Sequence, residues 1–333
     1  MKISASIYAK PKIDLALLDM LEDYKVDFIH IDCNDDMSVF DDIRWIKSKS
    51  KLPIDLHIIS NKVSKFYDAL AELDIDYVTF QYENLEEELV IDSKIKSKIG
   101  IAITTNTDIK VFDKFKDLAS FILIMASTPG KSGGSFDVIN FAKIKEFSRL
   151  YPDKKIHVDG GVNNEISFVL RNLGVYAIVS GSYLLNADDV FRNLSKLKFD
   201  ICPEFSIDTF MTEVKYLPIL HKKDMNLKTI LEIIEKYQMG FCIIVSDRNF
   251  FEGVITSGDI RRFLLKNIDT VNKEITECIL NNDAVVAKDT WNVREFLEHI
   301  RSTEKNLNFV PVLDSANTLV GAVSFEKLVK GEL

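Results

Sequence analysis

Apolar and polar positions follow two rhythms over roughly the first 200 residues. Short β-rich apolar runs recur: "KISASI" (2–7), "VDFIHID" (26–32), "PIDLHII" (53–59), "DYVTFQ" (76–81), "IGIAI" (99–103), "FILIM" (121–125), "KIHVD" (155–159) and "YAIVSG" (176–181). Between them lie stretches such as "KVSKFYDALAELD" and "SFDVINFAKIKEFSRLY", whose apolar residues return every three or four positions, the helical period. Strands that alternate with helices pair in parallel through right-handed crossovers. Eight such units in about 200 residues predict a small (β/α)8 barrel, with a doubly wound open sheet as the alternative that periodicity leaves open.

Beyond "KLKFDICPEFS" the rhythm changes, and residues from about 205 to 333 carry an internal repeat. "NLKTILEIIE" (226–235) is similar to "NVREFLEHIR" (292–301), and "FCIIVSDRNFFEGVITSGDI" (241–260) to "FVPVLDSANTLVGAVSFEKL" (309–328). Phe241 and Phe309, Gly253 and Gly321, and Thr256 and Ser324 keep one offset. Each copy reads as a helix, two strands joined by a polar turn, and a helix, so that two copies bury their apolar faces on each other.

Composition narrows the class. Of the 333 residues 47% are hydrophobic and 28% charged, ordinary for a globular protein, and the formal charge of −9 gives no reason to expect a nucleic-acid or anionic-membrane partner. Four scattered cysteines (Cys33, Cys202, Cys242, Cys278) form no C-x-x-C pair, which suits a reducing cytoplasm. Lys10 and Lys12 interrupt the N-terminal stretch, no signal peptide is visible, and no run nears the ~18 apolar residues of a membrane helix. A soluble cytoplasmic protein is expected.

Catalytic groups of a parallel barrel sit at the C-terminal ends of its strands. His30 and Asp32 end the second expected strand, His57 the third and Asp159 the seventh. A single His or Asp at a strand end is more often a hydrogen-bonded core residue. Two imidazoles and two carboxylates converging on one mouth instead suit a divalent ion such as Zn²⁺, Mn²⁺, Co²⁺ or Fe²⁺. Cys33, on the opposite face from Asp32, reads as a small buried hydrophobe, and His157 as a packed polar residue deeper in the barrel. Glycine-rich "STPGKSGGSF" (127–136), "DGGV" (159–162) and "SGSY" (180–183) follow strands six, seven and eight, where backbone N–H groups can approach a phosphate. A metal flanked by Asp32 and Asp159 suggests proton transfer beside a carbonyl through an enediolate, one carboxylate on each face, which inverts a stereocentre.

By these residues the first 198 positions resemble ribulose-phosphate 3-epimerase, a metal-dependent (β/α)8 barrel: "ASIYAKPKIDL", "IHIDCND", "DLHII", "GIAITTNT", "ILIMASTPGKSGGSF", "IHVDGGV" and "AIVSGSYLL" occur in the family's order. The resemblance implies His30, Asp32, His57 and Asp159 as metal ligands and Asp32 and Asp159 as the acid/base pair. It places Ser6, Met125, Gly130, Gly133, Gly160, Gly161, Gly181 and Ser182 around a ketose phosphate, D-ribulose 5-phosphate, D-xylulose 5-phosphate or a close analogue. The chain departs from the family at Asn34, Asp35, Asp36 and Met37, at Ile58 and Ile59, at the 130–134 glycine loop, and at Gln81, where a His is usual. The repeat resembles a pair of CBS domains, whose Gly-apolar-apolar-Thr-x-x-Asp pattern is intact at Gly253, Thr256 and Asp259; the second copy keeps Gly321 and Ser324 but has Lys327 in place of Asp. That implies an adenosine-nucleotide effector at Thr256, Asp259 and Ser324, or a dimerising module, and a homo-oligomer.

The chain therefore reads as a barrel over 1–200 and a CBS-type tandem (Bateman) module over 205–333, its copies at about 212–270 and 275–333: an isomerase of carbohydrate phosphates with a regulatory pair. A catalytically lapsed barrel that binds sugar phosphate in response to nucleotide is the alternative. A phosphate-binding aldolase or decarboxylase is weaker, because no Lys ends a strand as a Schiff-base candidate and no Asp-x-Lys-x-x-Asp pattern occurs.

Overall fold

The eight apolar runs become eight short parallel strands that close on themselves. The computed structural model describes all residues but 130–132, 203, 267–278, 304, 306 and 326–333. Strands β1 (Lys2–Ser6), β2 (Phe28–Asn34), β3 (Ile54–Ile59), β4 (Tyr77–Gln81), β5 (Lys98–Thr104), β6 (Phe121–Met125), β7 (Lys155–Asp159) and β8 (Ala177–Ser180) pair in chain order, and β1 closes on β8. The chain divides into two compact units, Met1–Ile201 and a second from Cys202 onward.

Helices α1 (Leu15–Asp23), α2 (Val39–Lys49), α3 (Tyr67–Leu73), α4 (Asn140–Leu150), α5 (Asn164–Asn172), α6 (Ser182–Leu185) and α7 (Val190–Phe199) cover the barrel. Asp14 caps α1 by accepting the Leu17 N–H at 3.1 Å, and Asn163 caps α5 by accepting that of Ile166 at 2.9 Å; each satisfies a donor that the first turn leaves open. The strand–helix alternation fails twice. After β4 and β5 the described residues contain only 3-10 turns, Tyr82–Asn84 and Ile109–Lys114. Ile109 and Phe112 are the buried residues of the longer turn, and their three-residue spacing eclipses in a 3-10 helix.

The barrel interior is layered. Phe28, Tyr77, Phe121 and Ala177 form an apolar plug at its N-terminal end, and the His157 ring stacks on Phe121 with centroids 4.2 Å apart. A Cβ on Gly100 would lie 2.3 Å from the Phe121 ring, so the strand glycine makes room for this filler. Truncating Phe121 to Ala would cost about 3–5 kcal/mol on the scale of other core phenylalanines. Above the plug the interior turns polar: Ser4, His30, Asp55, His57, Thr79 and Gln81 are all buried. Buried polar groups are costly unless paired, and that cost draws attention to the C-terminal mouth.

The second unit contains β9 (Thr212–Glu213), β10 (Ile219–His221), α8 (Leu227–Tyr237), β11 (Phe241–Val245), β12 (Phe251–Thr256), α9 (Ser257–Lys266), β13 (Ala287–Lys288), α10 (Val293–Arg301), β14 (Phe309–Leu313) and β15 (Leu319–Ser324). The repeat extends to register. Phe241 pairs with Thr256 and Phe309 with Ser324, and each hairpin shifts register at the corresponding place, Ile244/Val245 and Val312/Leu313. The sheets are β10-β11-β12 and β13-β14-β15-β9, so the strand that opens the first copy completes the sheet of the second. Gly130, Cys278, Lys327 and the last expected helix lie outside the described residues. Among the described residues no helix is long and apolar enough to cross a membrane.

Candidate active site

Alternation along β2 sends Phe28 into the barrel plug and, on the same face, His30 and Asp32 toward the mouth. Cys33 faces the other way and is fully buried, its thiol donating to the Asp36 carbonyl at 3.3 Å, in keeping with a packing role. The ladder sets Asp32 beside His57 of β3, and Met125 of β6 beside Asp159 of β7. His30, Asp32, His57 and Asp159 thereby meet, with one potential ligand atom from each within 4.8 Å of all the others. His57 Nδ1 is 3.1 Å from Asp32 Oδ1; His30 Nε2 is 3.4 Å from the same oxygen and 3.9 Å from Asp159 Oδ2. Both rings are fully buried, while each carboxylate keeps 18% of its side-chain surface exposed toward the mouth.

The charges of this cluster are strongly coupled. Burial opposes a proton on His30, but Asp55 and Asp32 outweigh it and raise the imidazole well above its ordinary pKa. Burial likewise opposes a charge on Asp32, yet His30 and His57 hold its carboxyl far below the usual range. Asp159 goes the other way. Burial pushes it up to about 6, with Asp32 and Asp55 adding to the rise against His30 and His57.

The donor set fits a divalent cation. His30 Nε2 is buried without a hydrogen-bond partner, and the two rings and two carboxylates offer four ligand atoms close enough for one ion with bonds of ~2.1 Å to gather. Mixed imidazole and carboxylate ligation suits Zn²⁺, Mn²⁺, Co²⁺ or Fe²⁺.

Ser6, Met125, Gly133, Gly160, Gly161, Gly181 and Ser182 line one cavity of about 770 Å³ together with Asp32 and Asp159. Gly161 has a stricter role than lining. Its φ is +66°, and a Cβ there would lie 2.1 Å from the Phe136 nitrogen, so the loops after β6 and β7 touch only because this side chain is absent. No Lys or Arg lines the cavity among the described residues; hydroxyls and loop backbone do. Residue-by-residue reading missed Tyr8, Ser127, Thr128, Asn163, Ser180 and Tyr183, which also line it. Ser180 Oγ is buried and without a partner, a strand-end hydroxyl whose position beside Gly181 was the available signal.

In the second unit Thr256 and Asp259 line a cleft of about 630 Å³ with Arg261, Arg262, Lys305, Phe241 and Phe309. Phe241 and Phe309 stack across the repeat, centroids 3.4 Å apart at 11°. Asp259 accepts the Thr256 N–H at 2.8 Å, its hydroxyl at 2.6 Å and the Arg262 guanidinium. Ser324, opposite Phe309 in the ladder, is not among the cleft's lining residues.

A closed parallel barrel that gathers paired carboxylates and imidazoles at its C-terminal mouth defines the class of (β/α)8 barrels with a candidate metal site, and comparison with known proteins gives the family. Residues 2–185 match the ribulose-phosphate 3 epimerase family, and residues 222–266 and 274–332 match the CBS domain. The first match spans more than half of the chain: the protein belongs to the ribulose-phosphate 3-epimerase family, an isomerase family, and carries a CBS pair after the barrel in sequence. Ribulose-phosphate 3-epimerase of Methanocaldococcus jannaschii is 27% identical over 190 residues, 53% of this chain and 80% of that protein. That of Helicobacter pylori strain J99 is 27% identical over 202 residues, 57% of this chain and 93% of its own. The solved structure of CBSX2 in complex with AMP is 18% identical with a TM-score of 0.33, over 38% of this chain and 94% of that one.

Proposed function

We propose that the barrel inverts C3 of a ketose phosphate, D-ribulose 5-phosphate and D-xylulose 5-phosphate or a close analogue, by proton transfer between Asp32 and Asp159. The observation that carries the reading is geometric: Asp32 and Asp159 stand at one mouth beside His30 and His57, with a potential ligand atom from each of the four within 4.8 Å of the others. Two carboxylates that share one mouth can supply a base and an acid when one of them carries a proton. Asp32 accepts the C3 proton from one face of the substrate, and Asp159 delivers a proton to the other. Between turnovers Asp32 releases its proton to solvent and Asp159 takes one up, which restores the starting state; in the reverse reaction the two exchange roles. His30, Asp32, His57 and Asp159 would hold a divalent ion, whose Lewis acidity would favour loss of the proton beside the carbonyl. Ser6 and Met125 flank the reacting carbon, while Gly133, Gly160, Gly161, Gly181 and Ser182, with Gly130, surround the phosphate through backbone N–H groups and hydroxyls.

The second unit, in this reading, binds an adenosine nucleotide in the cleft of Thr256 and Asp259, with Ser324 as the second hydroxyl, and brings copies of the chain together. The split into a barrel of 1–200 and a regulatory region of 205–333 follows the same reading. The test is NMR of the C3 proton of D-ribulose 5-phosphate in D₂O, with and without added metal. Metal-dependent exchange with appearance of D-xylulose 5-phosphate supports the assignment. A metal-loaded protein that leaves the proton in place excludes this substrate, and a protein that holds no metal returns the barrel to the lapsed reading.

A further inference from the structure

The two imidazoles of the cluster are oriented by buried groups that stand behind it. His30 Nδ1 lies 3.1 Å from Asp55 Oδ2, the oxygen that also accepts the Ser4 hydroxyl at 2.7 Å. An ionised carboxylate accepts hydrogen bonds and donates none, so Nδ1 carries a ring proton, and in the neutral ring that a cation requires it is Nε2 that turns its lone pair toward Asp32 and Asp159.

His57 uses the opposite nitrogens. Its Nε2 is 2.8 Å from Gln81 Oε1. The far end of the same amide settles which way Gln81 points: its Nε2 donates to the Glu83 carboxylate and approaches the Ala102 carbonyl at 3.5 Å, and both accept only. Glu83 is in turn held by the Thr104 N–H at 2.8 Å, the Thr104 hydroxyl at 3.0 Å and the Thr107 hydroxyl. Every bond in the chain therefore runs one way. His57 must donate from Nε2, so in the neutral ring that a cation requires the lone pair is on Nδ1, which faces Asp32 Oδ1 at 3.1 Å.

We propose that Asp55, and Gln81 fixed by Glu83, are positioning residues that set the proton-bearing nitrogen of His30 and His57 and so present four acceptors and no donor to a cation. The inference rests on the reading of the cluster as a divalent-metal site. Four acceptors this close repel one another unless positive charge sits among them, so tautomer control is also affinity control. Groups that take the second ring N–H of a metal-bound histidine typically change affinity by about 10–100-fold when replaced. Asp55 and Gln81 differ in kind. The carboxylate behind His30 raises the basicity of its ring, whereas the neutral amide behind His57 fixes direction alone.

The test is Zn²⁺ titration of the metal-stripped full chain against a chromophoric chelator, beside denaturant unfolding of each metal-free protein. Asp55→Leu and Gln81→Met, each of which removes the acceptor behind its ring, should each weaken Zn²⁺ binding by about 10–100-fold. The double variant Gln81→Glu/Glu83→Gln exchanges carboxylate and amide, keeps an acceptor on His57 Nε2, and should restore most of the Gln81→Met loss. Two folded single variants that bind Zn²⁺ as tightly as the wild type overturn the proposal, whatever their stability. A Gln81→Met loss that the exchange leaves unrestored overturns it for Gln81. A wild type that binds no Zn²⁺ refutes the metal reading itself, a different failure from that of the variants.

Discussion

Oxygens of Asp32 and Asp159 lie within 4.8 Å of each other, yet the barrel drives their ionisation in opposite directions. Asp32 touches both imidazoles, at 3.4 and 3.1 Å, whereas Asp159 has one imidazole nitrogen at 3.9 Å. Proximity to the rings accounts for the difference. At equal exposure, the carboxylate nearer to positive charge stays ionised, and the one left with burial and a like charge rises.

From that asymmetry, Asp32→Asn and Asp159→Asn should each lower epimerase turnover by about 10²- to 10⁴-fold, the usual worth of a positioned acid or base. Steady-state kinetics at matched metal content is the measurement. Either variant turning over near the wild-type rate ends the two-base assignment, and loss of metal alone would show as a rate that recovers with added ion.

Metal removal should also register as stability. An ion that binds only the folded barrel at 100 times its dissociation constant adds about 2.7 kcal/mol. Denaturant unfolding of the stripped protein should therefore shift upward when Zn²⁺ or Mn²⁺ is supplied, and in His30→Gln the shift should shrink or vanish. Equal shifts in wild type and variant would place the ion elsewhere.

How much of this was legible from residues alone depends on whether a feature is local to one strand. His30 and Asp32 share a face through simple alternation, and His57 and Asp159 end their own strands, so the cluster could be read without knowing which strand neighbours which. Asp55 and Gln81 could not. The ladder sets Asp55 opposite His30, while Gln81 reaches His57 from two residues beyond Thr79, the residue opposite that histidine, and no spacing within a strand encodes either relation. Similarly, Gly161 read as a phosphate glycine, while its close approach to Phe136 is a contact between loops. In the second unit the constant offset of Phe241 and Phe309 announced the repeat, but Thr212–Glu213 is too short a strand to signal that it joins the sheet of the other copy.

His157 should make the barrel acid-sensitive. Burial lowers its pKa to about 4, with Lys155 and His30 adding to the fall against Asp55. The unfolded chain takes up a proton near the ordinary histidine value of ~6.5, whereas the folded chain refuses one until about pH 4. Its contribution is thus fully present above ~6.5 and is lost as pH falls toward 4, to a ceiling of about 3 kcal/mol. Urea unfolding at pH 7.5 and 5 with chelator present, compared with His157→Phe, isolates this group because the cluster titrates in both proteins. The wild type should lose more stability than the variant between these pH values; equal losses would mean that His157 is protonated in the fold.

The last expectation concerns the cleft of the second unit. Asp259 spends its carboxylate on Thr256 and Arg262, so a ribose that takes its oxygens must displace the exposed guanidinium, and Arg262 then becomes free to meet phosphate. Hydrogen bonds to a charged group contribute about 1.5–3 kcal/mol, or roughly 10- to 150-fold in affinity. Calorimetry with AMP and ATP should show Asp259→Ala weakened by that factor. Arg262→Ala should lose affinity mainly for the nucleotide with more phosphates, and the loss should fade at high salt because an exposed charge is screened. Equal binding by wild type and Asp259→Ala would remove the ribose role, and an Arg262→Ala loss independent of phosphate number would leave the guanidinium as a brace for α9.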